Sequence, residues 1–391
     1  MTDRRAADSG SRGESGWPSS LPDVLKYSGT RVVFGARKLA ELGAIAKSEN
    51  ARRILLVTDP GIVKAGHVER AVASLHEAGL NVTVFDGVEE NPTTEHVALG
   101  VAAAREHAID FLIGLGGGSS MDCAKGINFI LTGGGEMKDY WGVNKATQPM
   151  LPMVAVPTTA GTGSEAQSFA LICDPATHQK MACGDTKAAC RVALLDPDLT
   201  ETQPPAVRTA SGIDAVSHAV ETAGTTKRSE VSLKFTGQAW LRLDRSFDVA
   251  MADPHDSAAR ADMLVGAHLA GAAIEQSMLG AAHACSNPLT ARFGITHGIA
   301  VGLLLPHVIR FNSRHGDNPY SALDEDAEQL AQRVEAMLAA AANPRCLNEL
   351  GVTAGQLPAL AEEAARQWTA QFNPSPVGRD ELLSIYESAV A

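Results

Sequence analysis

The chain has 391 residues, with 33 Lys plus Arg against 45 Asp plus Glu, for a formal charge of -12 at pH 7. At 45% apolar and 20% charged residues it can bury a sizeable core, which excludes extended disorder for most of its length. The acid excess repels phosphate backbones, so nucleic acid is not an expected partner, and no run of about 18 apolar residues suits a membrane span.

The opening residues carry charges, Gly and Ser without an apolar stretch, so 1–22 reads as a flexible tail and not as a secretory signal. Six cysteines (Cys123, Cys173, Cys183, Cys190, Cys285 and Cys346) lie scattered without a CxxC pair. That pattern fits reduced thiols in a cytoplasmic protein. Strands are expected at Arg31–Phe34, Arg53–Asp59, Asn81–Phe85, Phe111–Leu115 and Met153–Val156, each short and mostly apolar. Helices are expected between them: His67 to Ala78, with Val68, Ala71, Val72 and Leu75 at helical spacing, then 94–107 and Cys123–Leu131. Apolar strands alternating with helices predict a parallel sheet covered on both faces, an α/β unit over 23–203.

The character changes at Pro204-Pro205. Ala-rich segments at 206–224, 229–250, 257–282, 298–312, 322–342 and 355–371 predict helices. Pro254, Pro288, Pro306, Pro319, Pro344 and Pro374 are expected mostly in or near the gaps. Residues 204–391 therefore read as an all-α unit.

Two loops at strand ends carry chemistry. Gly116-Gly117-Gly118-Ser119-Ser120 follows one strand and opens a helix, where glycines let amides approach a phosphate and the helix N-terminus favours negative charge. A tight turn without a ligand is the alternative. Pro157-Thr158-Thr159-Ala160-Gly161-Thr162-Gly163-Ser164-Glu165 follows another strand, and loops at strand C-termini are where open α/β sheets bind ligands. Asp59, ending an earlier strand, is the candidate acid for a ribose hydroxyl pair, which would favour NAD over NADP. Local sequence alone favours the other reading, a residue that starts the Asp59-Pro60-Gly61 turn.

In the helical half, Asp214 and His218 are four apart and leave one helix face. His283 and His297 sit among small and apolar residues, where an unpaired imidazole is costly to bury. One carboxylate and three imidazoles suit Fe2+ or Zn2+ better than Mg2+ or Ca2+. Helix-packing histidines bonded to backbone are the alternative. His67, His76, His96, His107, His178, His255 and His315 stand in polar surroundings and are expected to be solvated, while His268 and His307 are intermediate.

The chain resembles the iron-containing (group III) alcohol dehydrogenases from about Tyr27 to its end. The likeness rests on the glycine loop continued to Met121-Asp122, the Pro157–Glu165 segment, Asp196-Pro197-Asp198-Leu199-Thr200, Gly212-x-Asp214-x3-His218-Ala219-x-Glu221, and His283-x13-His297-Gly298. It implies a dehydroquinate synthase-like fold: a dinucleotide-binding α/β domain, a helical metal-binding domain, and an active site between them. It further implies that Asp214, His218, His283 and His297 hold Fe2+, or Zn2+ in some members. The loop Gly116–Ser120 and Asp122 would serve the NAD pyrophosphate, Thr158, Thr159, Thr162 and Ser164 the cofactor cleft, and Asp59 the choice of NAD.

The expected activity is hydride transfer between NAD(H) and a small primary alcohol, diol or aldehyde, with the metal as Lewis acid on the substrate oxygen. A homodimer or larger homo-oligomer is expected. Phe169, Leu171, Ile274, Leu279 and Phe293 supply apolar character around the site. Alternatives are a Zn-dependent polyol dehydrogenase, a hydroxyacid–oxoacid transhydrogenase, and a non-catalytic NAD-binding redox sensor or scaffold. One departure stands out: Asn287 occupies the place of a family histidine near the nicotinamide, and an amide cannot titrate, so any proton relay must use another group.

Overall fold

The computed structural model describes residues 21–177, 179–314 and 318–391. The expected tail lies outside them except for Leu21 and Pro22, as do His178 and His315. The first half contains β1 (Arg31–Phe34), α1 (Leu42–Ser48), β2 (Arg53–Val57), α2 (Pro60–Lys64), α3 (His67–Glu77), β3 (Asn81–Phe85), α4 (Thr94–Glu106), β4 (Phe111–Gly116) and α5 (Gly118–Gly133). It continues through β5 (Gly142–Val143), β6 (Met153–Pro157), β7 (Phe169–Cys173), β8 (Lys180–Gly184) and β9 (Val192–Leu195). The second half is helical: α6 (Pro205–Gly224), α7 (Glu230–Ala252), α8 (Ser257–Glu275), α9 (Ala281–Phe293), α10 (His297–Asn312), α11 (Ala327–Ala340), α12 (Leu357–Ala364) and α13 (Arg379–Ser388).

Six strands form one parallel sheet in the order β1-β9-β6-β4-β2-β3. Alternation along the strands builds two cores. Phe111, Ile113 and Leu115 face Leu42, Ile45, Val68 and Leu75 of α1 and α3, whereas Leu112 faces Val97, Val101, Met121 and Ile127 of α4 and α5. A third core fills the helical half around Val216, Val220, Phe235, Leu269 and Leu304. No helix among the described residues is long and apolar enough to cross a membrane.

Several expectations need correction. β9 lies inside the sheet between β1 and β6, and a second sheet, β5-β8-β7, follows β4 and α5. Neither was anticipated, because strands of two to five residues carry too little pattern to separate from loops. The helix expected at 257–282 breaks after Glu275 and restarts at Ala281, so His283 belongs to a new helix. Pro288 and Pro306, expected mostly in or near gaps, lie inside α9 and α10 and are buried. Each removes an intrahelical bond, a cost that the surrounding apolar packing outweighs. α13 was missed although Leu382, Ile385 and Tyr386 show helical spacing and are buried.

His67 is 2% exposed, not solvated, and shares a hydrogen bond with Thr202 Oγ1 at 2.8 Å. Burial, aided by Arg70, lowers its pKa below the usual 6.5. The folded state therefore prefers the neutral ring. No penalty exists above about pH 6.5, and one grows as pH falls toward the lowered value. His67→Gln is expected to lose less melting temperature than the parent between neutral pH and about pH 5, as read by calorimetry. Equal losses in both proteins would exclude His67 as an acid-sensitive point.

Candidate active site

The sheet fixes where the loops meet. From β2 the chain proceeds to β3 on one side, whereas β4, β6 and β9 proceed the other way. The crevice at the carboxyl ends of β2 and β4 is therefore a topological switch point, the usual ligand position in open α/β sheets. Asp59 follows β2, and the loop Gly116–Ser120 follows β4. Asp59 Oδ1 caps α2 by accepting from the Ile62 amide at 3.1 Å, and its Oδ2 accepts from Ser120 Oγ at 3.2 Å. Asp59 thus starts the turn as expected, and the same carboxylate faces the glycine loop through Ser120.

Gly116 has φ +150, and a Cβ there would meet Ser120 Oγ at 2.4 Å. The turn requires glycine. It releases the chain into the 16-residue α5, whose N-cap is Gly117. A Cβ on Gly118 would meet Thr162 Oγ1 at 2.9 Å, and one on Gly117 would lie 3.5 Å from Thr159, so the two loops touch. Gly117, Gly118, Ser119, Thr159 and Thr162 are half-buried.

The remaining cofactor candidates turn inward. Ser120 and Thr158 are buried. Asp122 accepts from Ser164 Oγ and from the Leu171 amide at 3.3 Å. Beneath them lies Lys125, fully buried, whose Nζ donates to Ser164 O at 2.7 Å, Ser164 Oγ at 2.9 Å and Phe169 O at 2.9 Å. Burial raises the Asp122 pKa, and Lys125 opposes that shift. Lys125 was not singled out from the sequence, although its place one turn after Asp122 was visible.

The second loop also joins the two halves. Gly163, at φ +61, leaves no room for a Cβ, which would meet Gly271 Cα of α8 at 2.6 Å. Nearby, Glu165 pairs with the fully buried His268 of α8 at 3.1 Å, and Glu275 holds Ser168 through its amide at 3.0 Å and hydroxyl at 2.7 Å. His268, left intermediate from the sequence, is thus an interdomain contact.

Three of the four ligand candidates, Asp214, His283 and His297, converge, and His218 stands beside Asp214. Asp214 Oδ1 stands 3.5 Å from His218 Nε2, 3.8 Å from His283 Nε2 and 3.9 Å from His297 Nε2. These separations are too long for hydrogen bonds, yet Asp214, His283 and His297 can each offer an atom within 4.8 Å of the others. A four-coordinate ion with bonds of about 2.1 Å spaces its ligand atoms about 3.4 Å apart, close to the observed separations. Asp214 Oδ1 and His283 Nε2 are moreover buried without hydrogen-bond partners. Orphaned acceptors around a common point fit a cation.

Electrostatics agree. Burial acts to raise Asp214, but the imidazoles, His218 foremost, hold its carboxyl far below the usual range. Burial lowers His218, and lowers His297 to about 3, which keeps both rings neutral. His283 is raised to about 9 because Glu221 and Asp214 overcome its burial. Neutral rings at His218 and His297 keep lone pairs for a cation, and the negative charge of the site comes from Asp214 and Glu221.

Glu221, part of the motif read from the sequence but given no role there, stands directly behind His283. It accepts from His283 Nδ1, leaving Nε2 turned toward Asp214, and its other oxygen accepts the Ala282 amide at 2.7 Å. Asn373 Oδ1 accepts the Ala281 amide at 3.2 Å. Together they anchor the start of α9. Asp214, His218 and Glu221 stand at i, i+4 and i+7 of α6, a signal that the sequence did contain. Asn287, one turn beyond His283, donates to Gln367 Oε1 at 3.0 Å.

Residues 29–197 match the family of iron-containing alcohol dehydrogenases, and residues 208–390 match its C-terminal family. Alcohol dehydrogenase 4 of Schizosaccharomyces pombe is 33% identical over 380 residues, 95% of this chain and 90% of its own. The NAD-dependent methanol dehydrogenase of Bacillus methanolicus is 32% identical over 374 residues, 92% of this chain and 97% of its own. A solved 1,3-propanediol oxidoreductase superposes with a TM-score of 0.87 at 31% identity, covering 94% of this chain and 98% of that one. A carboxylate-and-histidine cluster beside a glycine loop at the switch point, in a chain related over nearly its whole length to these enzymes, establishes membership: the protein belongs to the iron-containing alcohol dehydrogenases.

Proposed function

We propose that the protein transfers hydride reversibly between NAD(H) and a small primary alcohol, diol or aldehyde at the cleft between its halves. The observation that carries this reading is the convergence of three imidazoles on Asp214 Oδ1, at 3.5 to 3.9 Å. Asp214, His218, His283 and His297 would hold Fe2+, with Zn2+ the second ion that this donor set accepts. When bound, the ion supplies Lewis acidity toward the substrate oxygen and the nicotinamide accepts hydride.

The residues divide the remaining work. Glu221 takes the hydrogen bond of His283 Nδ1 and so presents the Nε2 lone pair to the pocket. The α5 N-terminus and the Gly117–Ser119 backbone offer amides for a pyrophosphate. Asp59 keeps acceptor capacity for a ribose, since each carboxylate oxygen can take a second hydrogen bond. We assign Asp122 and Ser164 to holding these loops together, because their side chains bond each other and Lys125. Asn287 cannot accept a proton, so the proton lost by an alcohol leaves through another group, the cofactor ribose or water. Free thiols at all six cysteines support a cytoplasmic setting, and the family likeness supports a homo-oligomer.

The test is NADH formation from short alcohols and diols by metal-stripped protein, reconstituted anaerobically with Fe2+ or with Zn2+. Metal-dependent turnover is expected. Tight NAD binding without turnover under either metal would overturn the reading.

A further inference from the structure

An aromatic contact spans the two halves of the chain. Phe169, the first residue of β7, stacks on Trp368 from the segment Trp368–Phe372, with centroids 5.8 Å apart and planes at 28°. Phe372 meets Trp368 edge-on at 6.0 Å. Trp368 is still 38% exposed, so part of the indole faces open space. Its neighbour Gln367 accepts from Asn287 Nδ2 at 3.0 Å, and Asn287 follows His283 by one turn on the same face of α9. The stack therefore stands one amide pair away from a ligand position.

Phe169 is also held from behind. Its carbonyl accepts from the buried Lys125 Nζ at 2.9 Å, and Glu275 grips the preceding Ser168 at 3.0 and 2.7 Å. An indole has only two side-chain torsions and little freedom to move aside. It cannot swing away without giving up its contacts with both Phe169 and Phe372. Neither ring of the stack carries a charge, so it selects by shape.

We propose that the Phe169–Trp368 stack is the end wall of the substrate pocket and sets the chain-length limit, confining the enzyme to short primary alcohols and their aldehydes. This rests on the dehydrogenase reading above. The wall is made by residues from both halves, so the limit depends on how the cleft is assembled.

The experiment compares kcat/KM for straight-chain primary alcohols from ethanol to octan-1-ol in metal-loaded wild type, Trp368→Ala, Phe169→Ala and Trp368→Phe, with metal content and NADH binding measured on each. Wild type should decline along the series. Trp368→Ala should raise the octanol-to-propanol ratio by about tenfold or more, given what one methylene is worth in a fitted pocket. Phe169→Ala should shift it in the same direction, and Trp368→Phe should keep the wild-type profile. An unchanged ratio in both alanine variants, with metal and NADH bound, overturns the wall while leaving the dehydrogenase reading intact. Should Trp368→Ala fail to fold, the Phe169→Ala ratio decides in the same way. A wild type that oxidises no alcohol of any length overturns both.

Discussion

His283→Ala is expected to abolish metal-dependent turnover while leaving the fold in place. Its Nε2 is a buried, unpartnered donor site 3.8 Å from Asp214 Oδ1, and no neighbouring group can replace it once α9 is anchored. Changing a partner behind a ligand already costs about 10–100-fold in metal affinity, so loss of the ligand itself should exceed that range. The fold should survive. Ala282 still donates to Glu221 at 2.7 Å and Ala281 to Asn373 at 3.2 Å, leaving one Glu221 oxygen to be satisfied by water at about 1–3 kcal/mol. Glu221→Gln should show the milder, outer effect, weaker metal binding within about 10–100-fold. Metal content by elemental analysis, paired with circular dichroism, separates the cases. A His283→Ala protein that binds a full equivalent of metal and turns over would sink the site assignment.

The largest loss of stability is expected from Lys125→Met. The Lys125 ammonium donates to three oxygens at 2.7 to 2.9 Å, two of them on buried Ser164, and the Asp122 carboxylate lies 3.7 Å away. Met fills a similar volume but strands those oxygens. Breaking one side of a buried charge pair typically costs about 3–5 kcal/mol, far more than the same change at an exposed lysine such as Lys64. Because Ser164 and Phe169 belong to segments that flank the cleft, NAD binding should weaken as well. Adding Asp122→Asn to Lys125→Met should recover part of the loss, since the remaining carboxamide no longer carries an unpaired charge. Denaturant unfolding of the four proteins in that cycle tests this. A Lys125→Met variant as stable as Lys64→Met would show that the pair contributes nothing.

Glu165 and His268 show why pairings of this kind were hard to foresee. They are 103 positions apart and meet at 3.1 Å, through a buried contact that no local pattern encodes. Gly163 and Gly271 are similar: each looks like ordinary loop or helix glycine until the backbones are seen to touch. Asp122 and Ser164 read from their loops as cofactor contacts, yet their side chains meet each other and Lys125. Residue type and position in a loop do not determine which way a side chain faces; the packing beneath it does.

What the sequence determined by itself was whatever depends on local period and short spacing. The apolar runs at Arg53–Asp59 and Phe111–Leu115 announce parallel strands, the Ala-rich tract after Pro205 announces helices, and the Asp214–His218 interval puts two candidate ligands on one face. Even Glu221 was within reach of that rule. Tertiary structure alone decided the rest. It seated β9 inside the sheet, broke the helix between Glu275 and Ala281 so that His283 lies in the first turn of a new one, and buried Pro288 and Pro306 within helices. It also brought Phe169 onto Trp368 from 199 positions away. The physical reason is common to all of these: hydrogen-bond periodicity acts within a few residues, whereas close packing and the burial of charge act between segments whose distance along the chain is irrelevant.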